Sequence, residues 1–206
     1  MPRLALVALV ALSACATEPP ATEPPGSPAE APAAPADAAL PPDRPETIRD
    51  TVRVEGTDEV VTLRLVSFPD LPLPFSTYVR DGWQSDVVAS GEGTAARLTT
   101  GEPPRQGLVS LFVPAAAPTE AAAATLARAT AESYGDVEEA DAVEPWARRA
   151  WTFQDGDTVG SARLGEHAGA FFVVLEAYPV EMGDGFAPAA RLALDRLRWL
   201  DDGSGL

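Results

Sequence analysis

Ala170-Phe171-Phe172-Val173-Val174-Leu175-Glu176-Ala177-Tyr178 is the most apolar run after the first fifteen residues of a 206-residue chain. Near-continuous apolar character bounded by turn residues predicts a strand covered on both faces, central in a sheet. Gly183-Asp184-Gly185 follows and opens a final helix in which Phe186, Ala190, Leu194, Leu197 and Leu200 fall on one stripe. The opposite face carries Arg191, Asp195, Arg198 and Asp202, spaced three or four apart for surface ion pairs.

Upstream, Leu108-Val109-Ser110-Leu111-Phe112-Val113 reads as a second central strand. Pro118-Thr119-Glu120 then starts an alanine-rich helix capped by Thr119 and stopped at Tyr134-Gly135. Alternating polar and apolar residues predict a hairpin from Thr51–Val54 and Val61–Leu65, turning at Glu55-Gly56-Thr57-Asp58. Phe68 to Pro74 is a proline-broken connection, and further strands are expected at Phe75–Val79, Asp86–Ser90 and Ala95–Thr99. Asp136 to Glu144 is expected to be an acidic loop, Trp146 to Phe153 a strand, and Gln154-Asp155-Gly156-Asp157 a turn into Thr158–Leu164. Strands, helix, strands, helix: the class is α+β, an antiparallel β-sheet flanked by helices.

Composition removes several functions. The formal charge is −16, with 31 acids against 15 bases, all arginine. A chain this negative lacks the basic stripe that nucleic acid or an anionic lipid surface requires. One cysteine, Cys15, and one histidine, His167, exclude a disulfide framework, a zinc cluster and a Cys-His dyad. Gly91-Glu92-Gly93 is followed by threonine and alanines rather than a phosphate-loop lysine. The acids Asp136, Glu138, Glu139, Asp141 and Glu144 lack the ligand spacing of a calcium loop. No metal site and no cofactor is expected.

The amino terminus reads as an address. Arg3, an apolar run from Leu4 to Leu12, and Ser13-Ala14-Cys15 have the layout of a secretory signal, too short to span a bilayer. Leu12-Ser13-Ala14-Cys15 resembles the lipobox of bacterial lipoproteins. That resemblance implies removal of residues 1–14 and acylation of Cys15, which anchors the chain to a membrane without spanning it. Residue 16 is alanine rather than aspartate, which implies the outer membrane, periplasmic face, in a host with two membranes. From residue 16 to 45 the chain carries ten prolines and nine alanines but no aromatic residue. Such a segment cannot bury enough apolar surface to order itself, so residues 15–45 are expected to be a disordered N-terminal tether. Residues 46–206 are long enough for a single α+β domain, with 26 acids and 13 arginines.

Pro74-Phe75-Ser76-Thr77-Tyr78-Val79 with Gly82-Trp83 resembles the early strand and glycine-tryptophan turn of the PsbP-like fold. Phe171 to Pro179, a short gap, and Phe186 to Leu200 resemble its final strand and helix, so the likeness spans most of residues 46–206. It implies a PsbP-like sandwich used mostly for binding or assembly. Arg80-Asp81 stands where that family often has proline, and no family site residue carries over.

His167, in Gly165-Glu166-His167-Ala168-Gly169, is expected to be an exposed turn histidine, since no Gly-x-Ser-x-Gly motif supplies a nucleophile. Trp83, beside a turn, and Trp146, after Pro145, are the tryptophans expected to be partly exposed and available for a partner contact. The expected function is an envelope lipoprotein, not an enzyme, whose tethered domain binds a protein partner as an accessory or assembly factor. The alternative is a small-ligand-binding lipoprotein with a cleft between sheet and helix; a hydrolase comes last. Replacing Cys15→Ala is expected to move the protein from the membrane to the soluble fraction of its host cells. Unchanged sedimentation of that variant with membranes would remove the anchor.

Overall fold

Ala170–Pro179 is a strand whose alternate side chains serve two cores, and the rest of the chain arranges itself around it. The computed structural model describes residues 44–54 and 56–206. The signal segment at residues 1–14, Cys15 and the tether up to residue 43 lie outside the described residues. In chain order the strands are β1 (Thr47–Val54), β2 (Thr57–Phe68), β3 (Phe75–Arg80), β4 (Gln84–Ala89), β5 (Gly93–Glu102) and β6 (Arg105–Pro114). Helix α1 (Glu120–Glu132) precedes β7 (Asp136–Ala140), β8 (Arg149–Asp155), β9 (Thr158–His167) and β10 (Ala170–Pro179). A 3-10 turn, Val180–Met182, leads into α2 (Gly183–Asp195), and the two-residue strand β11 (Arg198–Trp199) closes the order.

The strands form a seven-stranded sheet in the order β4-β5-β6-β10-β9-β8-β7 and a four-stranded sheet in the order β1-β2-β3-β11. Every pairing is antiparallel. The chain is therefore α+β, with β10 in the middle and β6 beside it, as their apolar runs predict. Val173, Leu175 and Ala177 of β10 face one core, with Ala123, Ala124, Ala127 and Ala131 of α1. Phe172 and Val174 face the other, with Phe186, Ala189, Ala190 and Ala193 of α2 and Val66, Phe68, Phe75 and Val79 of the smaller sheet. A strand repeats every two residues, so a run without polar alternation is what two covered faces require.

The close approach of the layers depends on small residues. Alanines on α1 present only a methyl group to the sheet, and Thr119 caps its start by accepting from the Ala122 amide at 3.2 Å. A Cβ on Gly107 would lie 2.4 Å from the Phe186 ring, and one on Gly165 would lie 2.3 Å from the Phe172 ring. At both places an aromatic side chain occupies the space above a glycine.

Four expectations are corrected. The final helix stops at Asp195, so Leu197, Arg198, Leu200 and Asp202 lie beyond it and only Arg191 and Asp195 make a helical ion pair, at 4.0 Å. The reason is Trp199, which pairs with Phe75 in β11 and is 2% exposed. Its indole meets Phe75 at 6.1 Å and Phe172 at 5.1 Å, a burial that overrides helical periodicity. The acidic segment after α1 is half strand, since Asp136–Ala140 pairs with β8 and places Val137 opposite Phe153. Trp146 precedes the strand it was expected to begin and sits in the turn closed by Ala147 N–H to Glu144 O at 3.0 Å. Arg44 and Pro45, placed by composition in the tether, are held on the domain. Arg44 Nη1 donates to Ser76 O at 2.9 Å, and Tyr78 Oη donates to Pro45 O at 2.7 Å.

Trp199→Ala is expected to cost about 3–5 kcal/mol of folding stability, the range for deleting a large buried aromatic side chain. Urea unfolding measures it, and a loss below about 1 kcal/mol would deny Trp199 its central place.

Candidate functional site

On one face of the seven-stranded sheet, α2 and the smaller sheet cover β5, β6 and β10, while β9, β8 and β7 stay open. The register builds the floor of the open part in transverse rows. Glu176 pairs with Ser161, Ser161 with Thr152, and Thr152 with Glu138. Tyr178, Val159, Gln154 and Asp136 form the next row by the same pairings. One wall is α2, through Ala187, Arg191, Leu194 and Asp195, and the other includes Glu144 and Trp146. The result is a groove of about 910 Å³.

Its floor holds an ion cluster. Glu176, 8% exposed, faces Arg163 Nη2 at 2.9 Å. The same nitrogen donates to Ser161 Oγ at 2.9 Å, and Nη1 approaches Glu144 at 3.4 Å. Burial pushes the Glu176 carboxyl above its ordinary value of 4.5, the Arg163 charge opposes this, and Glu144 adds to it. Burial, followed by the Glu176 charge, likewise raises the Tyr178 phenol. Six carboxylates (Asp136, Glu138, Glu144, Asp155, Glu176 and Asp195) line the groove against two guanidiniums, Arg163 and Arg191. An arrangement of this kind attracts cations and repels anions.

The candidate residues read from sequence fare unequally. Trp146 borders the groove, half-buried, with its ring 5.8 Å from Phe172. Trp83 is corrected: it is 6% exposed and stacks on Phe186 at 5.6 Å with an interplanar angle of 3°. The turn beside it does not expose it, because the indole fills the space against α2 and Arg64 holds its carbonyl. His167 is corrected as well. Its side chain is 12% exposed, stacks on Trp199 at 4.4 Å and meets both Asp201 carboxylate oxygens at 3.0 Å.

Among the described residues the hydrogen-bond partner of His167 is Asp201, not the hydroxyl or thiol that nucleophilic catalysis requires. His167, Asp201 and Asp202 bring three possible metal-ligand atoms within 4.8 Å of one another. Both carboxylates already have partners there, since Asp202 Oδ1 accepts from the Ser204 amide at 2.8 Å, which lowers the Asp202 pKa.

Glu176 and Arg163 were missed by motif reading, and Glu144 was weighed only as one of a run of acids, although one signal was available. A carboxylate inside a run covered on both faces must have a cationic or hydrogen-bonding partner. Arg163, opposite the neighbouring Val174 in the register, supplies it.

No family model, no curated protein and no solved structure matches this chain. Among the described residues no helix is long and apolar enough to cross a membrane.

The raised Glu176 pKa has a signed consequence. Above 4.5 the unfolded chain has released this proton, while the folded chain still holds it. The contribution of Glu176 to stability therefore falls as pH rises through that window towards the raised folded value. The unfolding free energy of the wild type minus that of Glu176→Gln, measured in urea across this range, is expected to decline with rising pH. A difference that is flat or rises would contradict the desolvated carboxyl.

Proposed function

We propose that the chain is a lipid-anchored envelope protein whose domain binds a basic segment of a partner protein in the groove beside α2. The observation that carries this reading is the lining of the groove, six carboxylates against two guanidiniums on an open sheet face. Such a surface selects a partner by charge and steers its approach. Small-ligand pockets are mostly apolar and enclose most of their ligand. This groove is partly open and lined mainly by charged and polar residues, which favours a segment of a partner over the small-ligand alternative. Trp146 at the rim provides an aromatic anchor of the kind found in interface hot spots.

The anchor rests on Leu12-Ser13-Ala14-Cys15 and places the domain at the outer membrane, periplasmic face, in a host with two membranes. The finer fold assignment, PsbP-like, draws support from a contact between its two motif regions. Trp83 of the glycine-tryptophan turn stacks on Phe186 of the terminal helix. An accessory or assembly role suits an anchor, a spacer and one binding domain.

The test pairs a hexa-arginine peptide with a hexa-glutamate control in calorimetric titrations of the full chain. The arginine peptide is expected to bind, more weakly as salt rises, and the glutamate peptide is not. Charge reversal at two exposed groove positions, Asp136→Arg with Glu138→Arg, is expected to weaken binding by at least about tenfold, equivalent to about 1.4 kcal/mol. In cells, the same pair should abolish cross-linking to the partner captured by the wild type. Equal binding of both peptides, or no effect of charge reversal, would sink the reading.

A further inference from the structure

A second concavity, of about 380 Å³, opens beside β1, β3 and β11, and its lining has the opposite sign. Arg44, Arg196 and Arg198 border it, together with Pro45, Ile48 and Tyr78. In a chain with 31 acids and 15 bases, three guanidiniums at one cleft are a local reversal of charge. Among the described residues one carboxylate, Asp50, compensates them through an ion pair with Arg196. Three positive charges against one negative leave a surplus equal to a dianion.

Arg44 and Arg198 are held in place without being neutralised. Arg44 lies over the Tyr78 ring at 4.6 Å. Its Nη1 donates to Ser76 O at 2.9 Å and Ser76 Oγ at 2.8 Å, and Nη2 donates to Arg196 O at 2.7 Å. Arg198 Nη1 donates to Leu197 O at 2.6 Å and to Asp195 O at 3.3 Å. All of these acceptors are neutral oxygens. Among the described residues the Nε atoms of Arg44 and Arg198, and Nη2 of Arg198, have no hydrogen-bond partner. Arg196 engages Asp50 through Nη2, which leaves its Nε and Nη1 donors free among the same residues. Each arginine thus uses part of its fork to fix its position and retains donors for an incoming group.

We propose that this cleft is a binding site for a phosphate group, free in solution or carried on a lipid headgroup. Converging guanidiniums match a tetrahedral dianion, whose oxygens accept from several directions at once. A carboxylate, planar and singly charged, would satisfy one fork and leave the others uncompensated. The Arg44 pKa is lowered, first by burial and then by Arg198 and Arg196, while Tyr78 opposes the shift. An anion would relieve that repulsion. The site is separate from the acidic groove and stands whether or not the groove binds a basic partner.

The test uses the full chain carrying Cys15→Ala, so that acylation plays no part. Inorganic phosphate is titrated by calorimetry, and flotation compares vesicles of phosphatidylcholine with and without phosphatidic acid. Saturable binding to at least one of the two phosphate sources is expected. Arg198→Gln and Arg196→Gln should each weaken it by about tenfold, the effect of losing one charged hydrogen-bond donor. Arg198→Lys should retain more of it, and Asp136→Arg with Glu138→Arg should leave it in place. Binding of free phosphate alone assigns a soluble ligand, and phosphatidic-acid-dependent flotation assigns a headgroup. Absence of binding to both sources overturns the proposal. So does undiminished binding in both Arg→Gln variants with wild-type thermal midpoints.

Discussion

A carboxylate cannot sit in a strand covered on both faces unless a partner compensates its lost hydration, and β10 carries Glu176 in that position. Arg163 on the neighbouring strand meets it, and Glu144 joins from the segment before β8. This cluster marks the edge of the second core. On one side Phe172 and Val174 continue the strand into the contact with α2; beyond it the same sheet face turns polar and stays open. A buried ion cluster is weak evidence for stability, because well-packed apolar residues of similar volume are often as stable. Its place at the foot of the groove makes it the floor that any occupant would meet.

The second core is tied together by rings from distant parts of the chain. Trp199 touches Phe75, Phe172 and His167, and Phe186 touches Trp83 and Tyr178. These contacts join the smaller sheet, the centre of the larger sheet and α2. They set where α2 lies and therefore where the groove has a wall. Thr77 Oγ1 adds a buried hydrogen bond to the Ala193 carbonyl of that helix.

What could be read from the sequence divides along the same physical line. Elements whose signal is local were found: the two apolar runs at β6 and β10, the Thr119 cap of α1, and the Asp155-Gly156-Asp157 turn between β8 and β9. Elements decided by distant partners were not. Leu197 and Leu200 continue a helical stripe, yet Trp199 is claimed by Phe75, which no window around it contains. Trp83 beside a turn suggested exposure because Phe186, its stacking partner, is likewise distant in sequence. The acidity of residues 136–144 suggested a loop, but one inward-facing Val137 opposite Phe153 accompanies a strand there. The groove was invisible for a related reason, since its rows come from the register of four strands. The lone charge in the apolar run was the trace it left.

Charge is sorted by position as well as by amount. The sequence shows only an excess of acids. The fold separates the signs, placing six carboxylates with two guanidiniums at the groove and three guanidiniums with Asp50 at the cleft beside Arg44. With opposite potentials, the two sites would favour groups of opposite charge, and each would repel what the other takes. Arg44 ties the basic cleft together, because one guanidinium reaches both Ser76 of β3 and the Arg196 carbonyl beyond α2. A group bound there would bridge the smaller sheet, through Ser76, and the end of α2, through Arg196.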